Sequence, residues 1–85
     1  MLLRLRNRIV KKKQIIMKEF ELQGHDFIEL NKLLKLLRLV GSGGEANQVI
    51  DSGDVIVIGS VETQRRKKLR LGDKVQFLED TIVIK

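Results

Sequence analysis

The stretch VGSGGEANQVIDSGDVIVIG, Val40 to Gly59, changes period halfway along, and that change decides the fold class. Its first half is built to start a helix. Ser42 is followed by Glu45 at the spacing where a hydroxyl and an acidic side chain each satisfy a free N–H of the first helical turn. Gly41 then ends the preceding helix, and a second helix from Gly43 to about Ser52 turns Ala46, Val49 and Ile50 inward while Asn47, Gln48 and Asp51 face solvent. Gly53 stops it. From Val55 the residues are β-branched with no helical spacing, which predicts a strand.

Working outward from this stretch gives the remaining elements. Upstream, Asp26 with Glu29 predicts the start of a helix over Phe27–Leu39. At about 100° per residue, Leu30, Leu33, Leu34, Leu36, Leu37 and Val40 fill one arc, and Asn31, Lys32, Lys35 and Arg38 fall opposite. MKEFEL, Met17–Leu22, reads as a first strand. Downstream, SVET continues after Gly59, and KVQFL and TIVIK form a closing hairpin across Glu79 and Asp80. The predicted class is α+β: two short helices packed on a small, mostly antiparallel sheet of four to five strands.

Charge divides the chain in two. The net charge is +6, but residues 1–16 carry Arg4, Arg6, Arg8, Lys11, Lys12 and Lys13 with no acid, which accounts for all of it. From Met17 to Lys85 the 11 basic and 11 acidic residues balance. The expected organisation is therefore a poorly ordered basic extension over 1–16 and one domain over 17–85. Met17 is also a candidate start, because codons for the three preceding lysines are purine-rich, as a bacterial ribosome-binding site is. Cysteine is absent, and no segment approaches the roughly 18–20 apolar residues of a membrane span, so a soluble cytoplasmic protein is expected.

Little in the sequence points to catalysis or a cofactor. His25 is the only histidine and precedes a predicted helix start, and no pair of acids is arranged as general acid and base. GSGG lacks the following lysine of a phosphate-binding P-loop and follows a helix rather than a strand. It still opens a helix whose backbone N–H groups, at Gly43 and Gly44, are left uncovered where the helix dipole favours an anion.

The run Arg65, Arg66, Lys67, Lys68 and Arg70 is the main concentration of positive charge in the otherwise neutral domain. Like charges packed this closely repel one another unless a polyanion offsets them. Leu69 and Leu71 interrupt the run and are expected to pin it to the core. The chain has three Phe, no Tyr and no Trp, so stacking of single-stranded bases lacks its usual aromatic platform, whereas recognition of RNA shape and phosphate needs only cations, amides and helix ends.

These residues resemble the S-four RNA-binding domain, the αL module, and in particular its small stand-alone bacterial forms. The likeness rests on the leucine-rich helix, on Ser42 with Ala46 opening the next helix, on Gly53, Val55, Val57 and Gly59 in the strand, and on the Gly72-Asp73 turn. It covers Phe27 to Lys85. The resemblance implies a non-catalytic monomer, without cofactor, small-molecule substrate or membrane contact, that grips structured RNA, often ribosomal. Carried over by position, the implied contact residues are Ser42, Gly43, Gly44, Asn47, Gln48, Arg65, Arg66, Lys67 and Lys68. Arg70 is added from the same charge run, and Lys32, Lys35 and Arg38 are expected to extend the positive face if helix packing brings them beside it. Two positions depart from the family pattern. Asn47 stands where a basic residue is usual, and Ile58-Gly59 stands where the family has Asn-Gly. A β-branched Ile is costly at positive φ, so Gly59-Ser60 is expected to carry that turn. The rival reading is a protein-interaction adapter whose basic loop meets an acidic partner.

Overall fold

The computed structural model describes residues 16–85. The expected extension, apart from Ile16, lies outside the described residues. The elements in chain order are β1 (Ile16–Phe20), β2 (Ile28–Glu29), α1 (Leu30–Leu36), α2 (Gly43–Asp51), β3 (Val55–Val57), β4 (Ser60–Val61), β5 (Lys68–Leu69), β6 (Lys74–Phe77) and β7 (Asp80–Ile84). Five strands form one sheet in the order β1-β7-β6-β3-β4, and β2 pairs with β5 in a second, two-stranded sheet. Among the described strands only β1 and β7 run parallel; the other pairings are antiparallel, as expected for this α+β class.

Period-two alternation produces the sheet's inner face. Val55, Val57, Val75, Phe77, Ile82 and Ile84 are buried against Leu30, Leu33, Leu34, Ala46 and Ile50 of the two helices. Each Val, Leu, Ile or Phe among them contributes about 1.5–3 kcal/mol relative to an exposed position, so this shared interior dominates the fold. Leu69 joins it, fully buried, from the basic stretch. Leu71 does not: it is 73% exposed, so one leucine, not two, pins the run.

The first helix differs from its prediction at both ends. Residues Ile28 and Glu29 are drawn into a strand opposite Leu69 and Lys68, so helix begins only at Leu30. Asp26 does not cap it; the N-cap residue is Glu29, whose side chain makes no capping bond. At the other end Arg38 takes a left-handed φ of 59°. Leu39 N–H donates to the Leu34 carbonyl and Arg38 N–H to that of Lys35, the two bonds of a Schellman stop. That stop usually uses glycine, and here arginine supplies it well before Gly41. The shortened helix leaves Leu36 60% exposed and turns Asn31 toward α2 rather than solvent.

The second helix forms as predicted to within a residue. Ser42 Oγ accepts from Glu45 N–H at 3.1 Å, and Glu45 Oε1 accepts from Gly41 N–H at 2.7 Å. Gly53, at φ 82°, ends it.

Both hairpin turns correct the sequence reading. Val57 pairs with Ser60, so Ile58-Gly59 is the two-residue turn, with φ of 49° and 83°. The ladder overrides the preference of the side chain: Ile56 pairs with Val61, Ile58 N–H donates to the Lys74 carbonyl, and the register leaves Ile58 no other place. Its left-handed backbone costs about 1–2 kcal/mol. Phe77 pairs with Asp80, so the last turn is Leu78-Glu79, with Leu78 at φ 56°, and Asp80 belongs to β7.

Candidate nucleic-acid interface

Every helix begins with N–H groups that have no partner inside it. In α1 the basic stretch supplies two of those partners. Leu30 N–H donates to the Lys67 carbonyl at 2.9 Å, and Asn31 N–H to the Arg65 carbonyl at 3.0 Å. Lys67 N–H closes a turn onto the Gln64 carbonyl at 3.2 Å, and Lys68-Leu69 then pairs with β2. The stretch is thus fixed by its backbone, which leaves its side chains free to serve another purpose.

Arg65 is the exception among those side chains. Its Nε lies 3.0 Å from Asp51 Oδ1 and its Nη2 lies 2.6 Å from Asp51 Oδ2, a two-pronged clamp onto the last residue of α2. An acid at a helix C-terminus faces the negative end of the dipole, and Arg65 offsets that cost. The hydrogen bond from Arg65 holds the Asp51 carboxyl below its usual range and raises Arg65 in turn. Arg65, expected from the sequence to meet RNA, is paired in the structure with Asp51 on an exposed surface.

Arg66, Lys67, Lys68 and Arg70 have no acidic partner within ion-pair distance among the described residues. Lys68 and Arg70 converge on Phe27, with Nζ 4.9 Å and the guanidinium carbon 5.6 Å from the ring centroid. Asp73 Oδ2 accepts from Arg70 N–H at 2.8 Å, which gives the Gly72-Asp73 turn its role in holding the end of the run. Lys32, on the first turn of α1, lies 3.6 Å from Glu29 and borders the same side as Phe27.

Lys35 and Arg38 lie elsewhere. They border the groove that also contains Gly41 and Glu45, beside the opening of α2. The predicted cations therefore divide between the two ends of α1. At the α2 opening, neither Gly43 nor Gly44 has a left-handed φ. A Cβ at Gly43 would meet nothing within 4 Å, and at Gly44 only Ser42 Oγ at 3.9 Å. Neither backbone conformation nor space demands glycine there, so its effect is to leave the helix-opening N–H groups bare.

Asn47 and Gln48 also part company. Gln48 is exposed, whereas Asn47 is half-buried and its Oδ1 accepts from Asn31 Nδ2 at 3.3 Å, tying the helices together. Gly44, Gln48 and Asp51 follow at helical spacing along one exposed stripe of α2. It runs roughly 10 Å from the bare opening to the Arg65 clamp, so one side of α2 connects both clusters.

Two residues of the site, Phe27 and Asp51, do not stand out in the sequence. The helical spacing places Phe27 in a helix that does not reach it. Asp51 falls on the solvent face of its helix, although an acid at a helix C-terminus favours a cation nearby.

A family model described as S4 domain matches residues 20–85, from the end of β1 through both helices, the basic stretch and the closing hairpin. The chain is 38% identical over 68 residues to "Putative RNA-binding protein YbcJ" of Escherichia coli (strain K12), a match spanning 80% of this chain and 97% of that protein. The same identity and coverage hold for "Uncharacterized protein YbcJ" of Shigella flexneri. The earlier resemblance is thereby established over both helices, the basic stretch and most of the sheet, and the chain belongs to the S4 domain family.

Proposed function

We propose that this protein is a non-catalytic module of the cytoplasm that docks as a monomer on structured RNA, most naturally ribosomal RNA. The observation that carries the reading is the start of α1. Its first N–H groups rest on the carbonyls of Arg65 and Lys67, so a cationic stretch is held as a rigid ledge and not as a solvated loop. Arg66, Lys67, Lys68 and Arg70 then act as phosphate contacts, and the bare N–H groups at Gly43 and Gly44 receive a second phosphate, with Lys35 and Arg38 beside them. Ser42 shapes that opening and Gln48 lies between the two ends. In this reading Arg65 and Asn47 position the surface and do not touch phosphate. Family membership and the name of the Escherichia coli relative support RNA as the ligand.

The test is co-sedimentation with ribosomes and equilibrium binding to rRNA fragments. Replacing Arg66, Lys67, Lys68 and Arg70 together with Ala is expected to abolish co-sedimentation, and wild-type affinity is expected to fall by orders of magnitude between about 50 and 200 mM salt. Binding that survives the fourfold change, or that ignores salt, sinks the proposal in favour of an adapter with a protein partner.

A further inference from the structure

Phe27 is half-buried, yet it is not among the partly buried hydrophobics that pack against the core, as Phe20, Ile28, Leu37, Leu39 and Val49 do. Its ring instead borders an open groove of about 410 Å³ together with Phe20, Leu22, His25, Lys32 and Leu36. That volume lies within the general range of small-molecule sites. The same ring carries Lys68 and Arg70. Two cations brought onto one aromatic repel each other, and the arrangement is relieved when an anion sits above them.

We infer that this groove takes an unpaired nucleobase extruded from the bound RNA, stacked on Phe27, with its flanking phosphate on Lys68 and Arg70. The inference rests on the RNA-binding reading and deepens it. Aromatic and imidazole rings supply the stacking walls and the exposed Leu36 an apolar edge, while Lys68 and Arg70 do not line the groove but meet it through the Phe27 ring that they share with it. Counting aromatics in the sequence removed this mode because it could not show that one of the three Phe is left outside the core. One ring beside three cations is enough to hold a single base, though not to read a strand. Glu21 and Glu29 also line the groove, and their carboxylates accept from exocyclic amino groups, which favours adenine, cytosine or guanine over uracil.

The experiment uses the full chain and two RNA hairpins that differ only in a single-nucleotide bulge. Wild type is expected to bind the bulged hairpin roughly tenfold more tightly, the size of one base–aromatic stack. Phe27→Leu, which keeps an apolar side chain, is expected to bring the ratio near unity, and Phe27→Tyr to retain it. The chain has no Trp, so Phe27→Trp provides a single reporter whose emission is quenched by the bulged hairpin and little changed by the unbulged one. Equal binding of both hairpins by wild type, a preference that survives Phe27→Leu, or unquenched indole emission from the Phe27→Trp variant in the bulged complex overturns the inference while leaving RNA binding intact. The last outcome would fit a groove for a protein side chain. Failure of wild type to bind either hairpin overturns the RNA-binding reading and this inference with it.

Discussion

Helices α1 and α2 are neighbours in sequence and in space, but they start in opposite ways. The start of α2 is local: Ser42 and Glu45 satisfy N–H groups within four residues of themselves. The start of α1 is borrowed, because its N–H groups end on carbonyls of Arg65 and Lys67, more than thirty residues away. A local start can form before the domain does. A borrowed one exists only when the domain has closed, so the stretch that anchors α1 and the cations proposed to meet RNA become ordered in a single step.

The sharpest way to break that comparison is Leu69→Ala. Leu69 is fully buried and holds β5 against β2, so the change is expected to cost about 2–5 kcal/mol and to release amide exchange at Leu30 and Asn31 before the rest of the sheet. Denaturant unfolding and exchange by NMR measure both. If Leu30 and Asn31 stay as protected as Ile82, the start of α1 does not depend on the loop. Ser42→Ala is the local counterpart, with an expected loss of about 1 kcal/mol and faster exchange confined to the first turn of α2. A loss of protection at Leu30 in that variant would contradict the separation of the two starts.

Ile58 gives an effect of opposite sign. Ile58→Asn places at φ 49° a residue that tolerates the left-handed region, and a gain of roughly 0.5–1 kcal/mol in thermal or denaturant unfolding is expected. A loss of stability would mean that the exposed Ile58 side chain has a packing role.

The smallest effect on stability, and the most telling for the site, concerns Arg65. If it were a free phosphate contact, Asp51→Asn would strengthen RNA binding by removing a negative charge. As a clamp, the same change loosens the loop and weakens binding a few-fold, while the double exchange Asp51→Arg with Arg65→Asp recovers part of the loss. The pH dependence has a definite sign. The folded Asp51 carboxyl titrates below its ordinary value of 3.8, so its contribution is complete above that value and disappears only as pH falls through the lowered one. Arg65 stays charged throughout. The Arg65 Nε–H resonance, followed from about pH 5 to pH 2, should therefore hold its position until the acid end of the range.

What the sequence made legible follows the same division between local and distant. The α2 cap, the Gly53 stop, the alternation of β3 and β6 and the position of the basic run are written in neighbouring residues. The short α1 could not be read, because Ile28 and Glu29 become strand only through partners at Leu69 and Lys68. The Ile58-Gly59 turn defied its own side-chain preference because the β3–β4 and β3–β6 ladders outvote one residue. At the candidate site, charge was visible and its allocation was not. Nothing beside Arg65 in the sequence says that it is held by Asp51, and nothing beside Phe27 says that the core leaves it out.

The placement of β7 has a consequence for the timing of folding. It follows every other described strand in the chain, yet it lies between β1 and β6, with Ile16 opposite Asp80 and Phe20 opposite Ile84. Until β7 arrives, β1 has no neighbour and the inner face lacks Ile82 and Ile84. Closing so long a loop is slow compared with forming a helix or a hairpin. Short elements such as α2 and the β3–β4 hairpin are marginal on their own, so their stability too depends on the interior that β7 completes. The chain therefore carries the last strand of its sheet at its far end, and the inner face that buries Leu69 is complete only when that strand is in place.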